Sequence, residues 1–454
     1  MRKILIVDDD PAVTNYLKVF MMQTGLFETT VVNDSREVGP LLAERIFDIV
    51  LLDMDMPGVN GMDILAEMRR KRIGTPVVVL TGVSDVDLAV KAMKLGAFDY
   101  LTKPADEEKL LGVIDAAIEH RALHKTIEDL PKQLSLADLE YGAAFDHFPT
   151  QDAEMIRIFH QAEKLAASNL SIFIRGETGT GKEAIARAVH MASQRRDAPF
   201  VVVEASSQDV ESFPGFFFGQ ARNWSGSRDE APGILEQANH GTLFLNQVDE
   251  LSLPLQVRLL RVIQTSEYYR ENSTQILKAD VRMIVASTRD LTRPDYKQTF
   301  LRDLLYHLMI NSLWIPPLRE RMGDLPLMAE KFLAEEAQKL GRTITGFSGD
   351  FLEFLKDYSF PGNVQELRTV VAAAAANAEG GLVALDSLPA FIRETIEKEK
   401  SAPREGFRPR KLDEVIREYV AKTLEHFGSR RDVAAGELGI SREELDRLTE
   451  EELD

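Results

Sequence analysis

The sequence predicts an α/β protein in three parts: a doubly wound parallel-sheet domain, a second α/β domain with a helical lid, and a small all-α domain at the C-terminus. Two patterns predict this class. Short apolar runs alternate with amphipathic stretches over residues 1–120 and again over 147–320, which is typical of parallel strands covered by helices. Residues 321–395 instead have a helical pattern with an alanine-rich stretch, which predicts the lid.

Composition limits the function classes. A chain of 454 residues suits about three domains. Its 54 lysines and arginines stand against 73 acidic residues, a formal charge of −19, so the chain as a whole repels nucleic-acid phosphates. It has no cysteine, which excludes disulfides and cysteine-ligated metals. We find neither a signal-peptide pattern nor a long apolar span, and therefore expect a soluble, cytoplasmic protein without membrane contacts.

In the first domain, polar residues follow the expected strands. Asp8 and Asp9 come after the first apolar run, Asp53 and Thr81 end two later runs, and Lys103 ends another in "LTKP". Parallel strands bring these positions to one sheet edge. Clustered carboxylates suit Mg²⁺, while a lysine and a threonine hydroxyl can contact a phosphoryl group. The sequence therefore predicts a phosphoacceptor site.

The second domain contains "GETGTGKE" between a predicted strand and a predicted helix. Glycines there let backbone N–H groups face phosphate oxygens, and Lys182 can reach the outer phosphates. The candidate nucleotide-binding residues are Gly176, Glu177, Thr178, Gly179, Thr180, Gly181, Lys182 and Glu183.

Two connecting segments divide the chain further. A helical, charged segment leads into a linker helix at 121–146, which is either a dimerising helix or a solvated connector. A polar linker at 396–411 precedes a domain at 412–454, where Gly439 is expected to make a turn and Ser441 to cap a second helix.

Residues 1–120 closely resemble the receiver domain of bacterial two-component response regulators. The resemblance implies that Asp53 accepts phosphate from a histidine kinase and that Mg²⁺ is held by Asp9, Asp53 and the Asp55 carbonyl, with Asp8 acting through water. It also implies that Thr81 and Tyr100 form a switch pair. The expected catalytic residues are Asp53, Lys103 and Thr81, and the expected metal residues are Asp8, Asp9, Asp53 and Asp55.

Residues 147–395 resemble the AAA+ domain of NtrC-like enhancer-binding proteins, ATPases that remodel sigma-54 RNA polymerase. The matching motifs are "GETGTGKEAIARAVH", "GTLFL", "LPLQVRLLRVIQ", "IPPLRER" and "PGNVQEL". The segment "RRDVAAGELGISREELDRL" resembles the Fis-type helix-turn-helix that ends these regulators.

The second resemblance also shows departures around the nucleotide site. Where the family has Asp-Glu after the "GTLFL" strand, this chain has Asn246 and Gln247, and neither amide carries negative charge or accepts a proton at neutral pH. Further departures replace an Asn by Glu204, a sensing Asn by Thr288, two arginines by Leu301 and His307, and a sensing Arg by Gln365. We therefore expect a pseudo-ATPase, to which ATP or ADP binds without hydrolysis.

Two output surfaces also depart from the family. One loop of the family contacts sigma-54. In this chain the corresponding loop follows Phe218 and Gly219 and reads "QARNWSGSRDE", which departs from the family motif and argues against direct remodelling of that polymerase. Residues 441–454 carry two arginines against seven acidic residues, so specific DNA binding is doubtful.

These observations predict a response regulator that acts through protein–protein interaction and regulated assembly in signalling or transcription control. Its expected partners are a histidine kinase, further copies of itself as a dimer or higher oligomer, and an active NtrC-like paralogue. The alternative is a DNA-binding transcription regulator that works without ATP hydrolysis or sigma-54 remodelling. An ordinary sigma-54 activator would require measurable ATP turnover.

Overall fold

The computed structural model describes residues 1–82, 86–131, 133–207, 211–221, 230–378, 381–401, 419–420, 423–424, 427, 430–442 and 445–446. The chain divides into two compact units, Met1–Leu388 and Pro389–Asp454. Within the described ranges, no helix is both long and apolar enough to cross a bilayer.

The first domain is a five-stranded parallel sheet in the order β2-β1-β3-β4-β5. Its elements are β1 (Arg2–Val7), α1 (Pro11–Thr24), β2 (Phe27–Val32), α2 (Val38–Glu44), β3 (Ile49–Asp53), α3 (Gly61–Arg70), β4 (Val77–Thr81), α4 (Val86–Leu95), β5 (Asp99–Thr102) and α5 (Glu107–Glu128). Strands β3 and β4 are buried throughout, as expected for central strands covered on both faces. The predicted doubly wound domain is confirmed.

The central domain has a second parallel sheet, in the order β12-β6-β11-β8-β7. Its elements are α6 (Ala153–Ala166), β6 (Ile172–Arg175), α7 (Lys182–Met191), β7 (Phe200–Glu204), α8 (Phe213–Phe218), α9 (Ile234–Gln237), β8 (Thr242–Asn246), α10 (Leu253–Thr265), β9 (Glu267–Tyr268), β10 (Leu277–Lys278), β11 (Arg282–Ser287), α11 (Arg302–Met309) and β12 (Ser312–Trp314). Two apolar clusters, one on each face of the sheet, form its core.

The lid follows the central sheet. It consists of α12 (Leu325–Leu340), β13 (Gly346–Phe347), α13 (Gly349–Lys356), α14 (Asn363–Asn377) and β14 (Leu382–Val383). The second compact unit begins with α15 (Ala390–Ser401), so helix covers the start of the expected linker at 396–411, whose residues 402–411 lie outside the described residues. Good helix formers in "ETIEKEK" account for this extension.

In the second unit, α16 (Arg431–Leu438) ends at Gly439, which has a left-handed backbone with φ of 68°. This is the turn position expected from the sequence. Most of the expected second helix lies outside the described residues, and the helix-turn-helix stays a prediction.

Helix α5 joins the first two domains. Its first half buries Leu110 and Ile114 in the core of the first domain, while Leu123 and Ile127 pack against the core of the central domain. The helix ends at Glu128, and the rest of the expected linker helix contains two short 3-10 turns, Leu136–Asp138 and Gly142–Phe145. In this chain, therefore, the apolar stripe of α5 contacts the central domain.

Helix α11 of the central domain docks against the first domain. His307 forms an ion pair with Asp99 at 3.3 Å, and their side chains are only 9% and 8% exposed. Burial raises the pKa of Tyr100 to about 12, with the charge of Asp303 on α11 adding to the effect, and Tyr306 packs against the first domain's core. Burial lowers the pKa of His307, but the hydrogen bond and charge of Asp99 outweigh it and leave that pKa raised. The contact between the two domains therefore favours the protonated form of His307.

Replacing His307 by glutamine should lower the free energy of unfolding by about 3 kcal/mol at low pH, because it leaves the buried Asp99 without its cation. A raised folded pKa gives a stabilisation that is complete below the unfolded pKa of about 6.5 and is lost as the pH rises through the folded value. Wild type and His307→Gln should be compared by urea denaturation at about pH 6 and at about pH 9. The difference between their free energies of unfolding should be smaller at the higher pH. The control is His240→Gln, because the exposed pair of His240 and Asp280 should contribute less than about 1 kcal/mol. An equal loss at both pH values would contradict the ion-pair account.

Candidate functional site

The first candidate site lies at the carboxyl edge of the first sheet. Asp8 and Asp9 follow β1, and Asp53 ends β3; one carboxylate oxygen from each of the three lies within 4.8 Å of the other two. Lys103, just after β5, places its Nζ 2.6 Å from Asp8 Oδ2 and 2.6 Å from Asp53 Oδ1. The structure therefore brings together four of the residues expected from the sequence.

Burial and charge control this cluster. Burial is the largest influence on Asp53 and raises the pKa of its carboxyl, although Lys103 opposes this. Burial lowers the pKa of Lys103, but hydrogen bonds and charges from Asp53 and Asp8 outweigh it and leave the pKa raised. Lys103 thus stays cationic beside a buried carboxylate.

The remaining expected residues of the first site take different places. Thr81 is the last residue of β4, is buried, and accepts the Lys103 N–H at its backbone carbonyl over 2.7 Å. Asp55 lies in the exposed loop after β3, and its side chain is not among the clustered carboxylates. Tyr100 lies on β5 and reaches Asp303 of the central domain, which connects this edge to α11.

The second candidate site is the loop between β6 and α7. It holds the expected residues, and Gly179 and Gly181 have φ of 76° and 101°. A Cβ on Gly179 would lie 2.1 Å from the Gly362 carbonyl oxygen, so only glycine fits against the lid there. Gly181 precedes α7 without a side-chain cap, which leaves the first N–H groups of that helix for an anionic ligand.

Lys182, at the start of α7, is folded back over the loop. Its Nζ donates to the carbonyls of Gly176 and Glu177, both at 2.9 Å, and the residue is 6% exposed. Burial lowers the pKa of Lys182 to about 8, against the opposing charges of Asp249, Glu204 and Glu177. A phosphate placed at this loop would therefore meet a buried, titratable cation.

A cavity of about 1110 Å³ opens beside the loop. Gly179, Gly181 and Lys182 line it, as do Glu204 and Asn246 from the ends of β7 and β8. Glu204 and Asn246 are paired in register, and Asn246 Nδ2 donates to both carboxylate oxygens of Glu204, at 3.0 and 2.9 Å. The cavity thus contains a carboxylate bound to an amide on the neighbouring strand.

The residues after Asn246 turn away from that pair. Gln247 has a left-handed backbone and accepts a hydrogen bond from Ser206 at its amide oxygen. The Asp249 side chain is 3% exposed, accepts the Ser287 hydroxyl at 2.7 Å and lies 3.4 Å from Arg289 Nε. Asp249 therefore acts on Lys182 through its charge while its oxygens contact other groups.

The lid binds the phosphate loop through Arg319 and Asn363, which the sequence did not single out, and through Gln365, which it did. Arg319 forms an ion pair with Glu177, and this lowers the pKa of the Glu177 carboxyl. Asn363 donates to the Thr178 carbonyl at 2.9 Å, and the Gln365 N–H donates to the Gly179 carbonyl at 3.2 Å. "LRER" and "GNVQEL" were recognised as motifs, but only the fold shows which of their side chains meet the loop.

The two positions where the family has arginines also have defined contacts. Leu301 precedes α11 and packs against the central apolar cluster. His307 lies near the end of the same helix and faces Asp99. The expected sigma-54 contact around Trp224 lies outside the described residues, because 222–229 are not among them.

Comparison with known families agrees with the two sites. The sequence matches the Response regulator receiver domain over residues 4–115, the Sigma-54 interaction domain over 148–313 and the AAA+ ATPase lid domain over 319–405.

Relatives match over nearly the whole chain. Regulatory protein AtoC of Escherichia coli K12 is 34% identical over 450 residues, which is 98% of this chain and 96% of AtoC. The alginate biosynthesis transcriptional regulatory protein AlgB of Pseudomonas aeruginosa is 33% identical over 446 residues, covering 98% and 96% of the two chains. Crystal structures of NtrX from Brucella abortus in complex with ADP and with ATP each match with 28% identity, a TM-score of 0.51 and 98% coverage of both chains.

The expectation of a pseudo-ATPase is wrong. Sigma-54 interaction domains are typically ATPases, and the similar NtrX structures hold ADP or ATP. The error has a physical reason. Glu204 and Asn246 were counted as separate losses, whereas the structure pairs them across β7 and β8, so the cavity keeps a carboxylate next to the phosphate loop.

The full-length relatives and the three matching domains identify the family. The chain belongs to the NtrC-like response regulators, transcription regulators in which a receiver is joined to a sigma-54-interaction AAA+ domain.

Proposed function

We propose that this response regulator accepts a phosphoryl group on Asp53 from a histidine kinase and, in response, changes how its AAA+ domain assembles and hydrolyses ATP. The observation that supports it most is the contact between the two domains. His307 on α11 of the nucleotide-binding domain pairs with Asp99, the first residue of the strand that leads to Lys103, at 3.3 Å. A change at the receiver edge can therefore reach the central domain through adjoining residues.

The receiver residues fit phosphoryl transfer. An Asp53 oxygen attacks the phosphorus of the donor, the bond from phosphorus to the donor breaks, and Lys103 offsets the added negative charge. Asp8, Asp9 and Asp53 present the hard oxygen ligands that Mg²⁺ prefers, so the donor set fits this ion. When bound, Mg²⁺ supplies charge neutralisation at the transferred group.

The central domain fits a nucleoside triphosphate. Backbone N–H groups at the start of α7 face the position of a phosphate, and Lys182 supplies a cation there. The adjacent cavity of about 1110 Å³ exceeds the usual few hundred Å³ needed for a small ligand. Lid residues Arg319 and Asn363 contact the same loop, so the lid can respond to what the loop binds.

Assembly is the expected output of this arrangement. AAA+ enhancer-binding proteins oligomerise, and the receiver covers one side of α11 in the single chain. Phosphorylation would shift the population between chains with docked and released receivers. A released receiver would expose α11 to another copy of the chain or to an NtrC-like paralogue.

The test of the phosphoacceptor is Asp53→Asn. With acetyl phosphate and Mg²⁺ as the probe, wild type should gain the mass of one phosphoryl group and Asp53→Asn should gain none, because an amide oxygen is too weak a nucleophile. The matched control is Asp63→Asn on the exposed start of α3, which should be modified like wild type. Persistent modification of Asp53→Asn at a wild-type rate would assign the reaction to another residue.

The nucleotide site is tested through Lys182. Because its pKa is about 8, Lys182 is charged below that pH, and affinity for fluorescent ATP should fall as the pH rises above it. Lys182→Ala should bind weakly at every pH and lose this dependence. Lys356→Ala, on the exposed surface of the lid, serves as the control. An unchanged pH dependence in Lys182→Ala would place the titrating group elsewhere.

The complete proposal is tested by ATP turnover of the full chain, with and without prior phosphorylation by acetyl phosphate. Turnover above background that changes with phosphorylation in wild type, and does not change in Asp53→Asn, is the expected result. Light scattering on the same samples should show a change in assembly. Absence of turnover in both phosphorylation states would overturn the proposal.

A further inference from the structure

The pair of Glu204 and Asn246 has a chemical role beyond its hydrogen bonds. We propose that Glu204 is the catalytic carboxylate for ATP hydrolysis and that Asn246 is its positioning residue. In the family pattern the amide follows the strand equivalent to β7 and the carboxylates follow the strand equivalent to β8, so the two groups have exchanged strands in this chain. This inference rests on the proposed function, since it names the residue that accepts the proton in that reaction.

The first support is placement. Glu204 is the last residue of β7, Asn246 is the last residue of β8, and both line the cavity that contains Gly179, Gly181 and Lys182. A residue at this edge can reach a water beside the outermost phosphate of a nucleotide on the loop. Lys182 feels the Glu204 charge, which places that carboxylate in the same electrostatic neighbourhood as the loop.

The second support is orientation. An ionised carboxylate only accepts hydrogen bonds, so Asn246 must turn its NH₂ group toward Glu204. This leaves Asn246 Oδ1 on the other side of the amide, where it is buried and has no hydrogen-bond partner within the described part of the chain. A buried acceptor without a donor is costly, and a water held there would satisfy it. The amide can therefore hold both the base and a water.

The third support is the surroundings of the other acidic groups. Asp249 is turned to Ser287 and Arg289 and does not line the cavity. Glu183 and Glu335 line it, but each forms an ion pair, with Arg187 and Arg368 respectively. Gln247, directly after Asn246, accepts from Ser206 and has no basic group. Glu204 combines a place at the cavity with a partner that orients it.

The water oxygen forms a bond to the γ-phosphorus of ATP while a water proton moves to a Glu204 oxygen. The bond from that phosphorus to the bridging oxygen breaks, and its electron pair stays on ADP. The proton leaves Glu204 for solvent or phosphate before the next cycle.

The test compares wild type with Glu204→Gln in the full chain, using Mg²⁺-ATP and a fluorescent ATP analogue. Removing a general base should lower kcat by about 10² to 10⁴, while the Kd for the analogue should stay within about threefold because the loop and Lys182 are unchanged.

The matched control is Glu267→Gln, the same substitution at a similarly half-buried, hydrogen-bonded glutamate of the central domain. It should leave both kcat and Kd at wild-type values. If Glu204→Gln does not fold, as judged by its thermal melt, Glu204→Asp replaces it. That variant should retain nucleotide binding but lower kcat by about 10², because the carboxylate is set back by one methylene.

The outcomes separate the two proposals. If wild type hydrolyses ATP and Glu204→Gln or Glu204→Asp keeps kcat within about threefold of it, the role of Glu204 is overturned and the proposed function stands. If wild type shows no turnover, the proposed function fails and the inference fails with it. Loss of kcat with retained nucleotide binding supports both.

Discussion

Parallel strands end at a common edge, and both candidate sites depend on this constraint. In the receiver it gathers Asp8, Asp53 and Lys103 from three separate stretches of sequence. In the central domain it places Glu204 and Asn246 side by side next to the phosphate loop. Helices cover both faces of the central strands, which are therefore largely apolar, so polar residues collect where these strands stop.

The same constraint explains what could be predicted from the sequence. Buried central strands such as β3 and β4 are continuous apolar runs, and the residue that ends each run identifies its site. Strand β2, "FETTVV", was not predicted, because an edge strand that is buried mainly at its two ends has no such run. The receiver cluster and the glycine-rich loop were therefore predictable, whereas this edge of the first sheet was not.

Contacts between distant segments were not predictable. Glu204 and Asn246 are separated by more than forty residues, and each looks like a loss when read in its own motif. The ion pair of His307 with Asp99 joins two domains, and no local pattern indicates it. The mistaken expectation of an inactive ATPase arose in this way. Each strand end was assessed separately, although residues from neighbouring strands together determine the charge of the site.

Helix α5 has a consequence for regulation. Because Leu110 belongs to one core and Leu123 to another, no flexible spacer separates the receiver from its docking surface on α11. The effective concentration of the receiver at that surface is then fixed by a short, stiff tether and reaches the millimolar range or above. Even a weak docking contact is largely occupied under such conditions. If the contact is weak, a modest loss of its free energy releases the receiver. Because docking is intramolecular, the concentration of the protein in the cell does not affect the equilibrium between docked and released receivers.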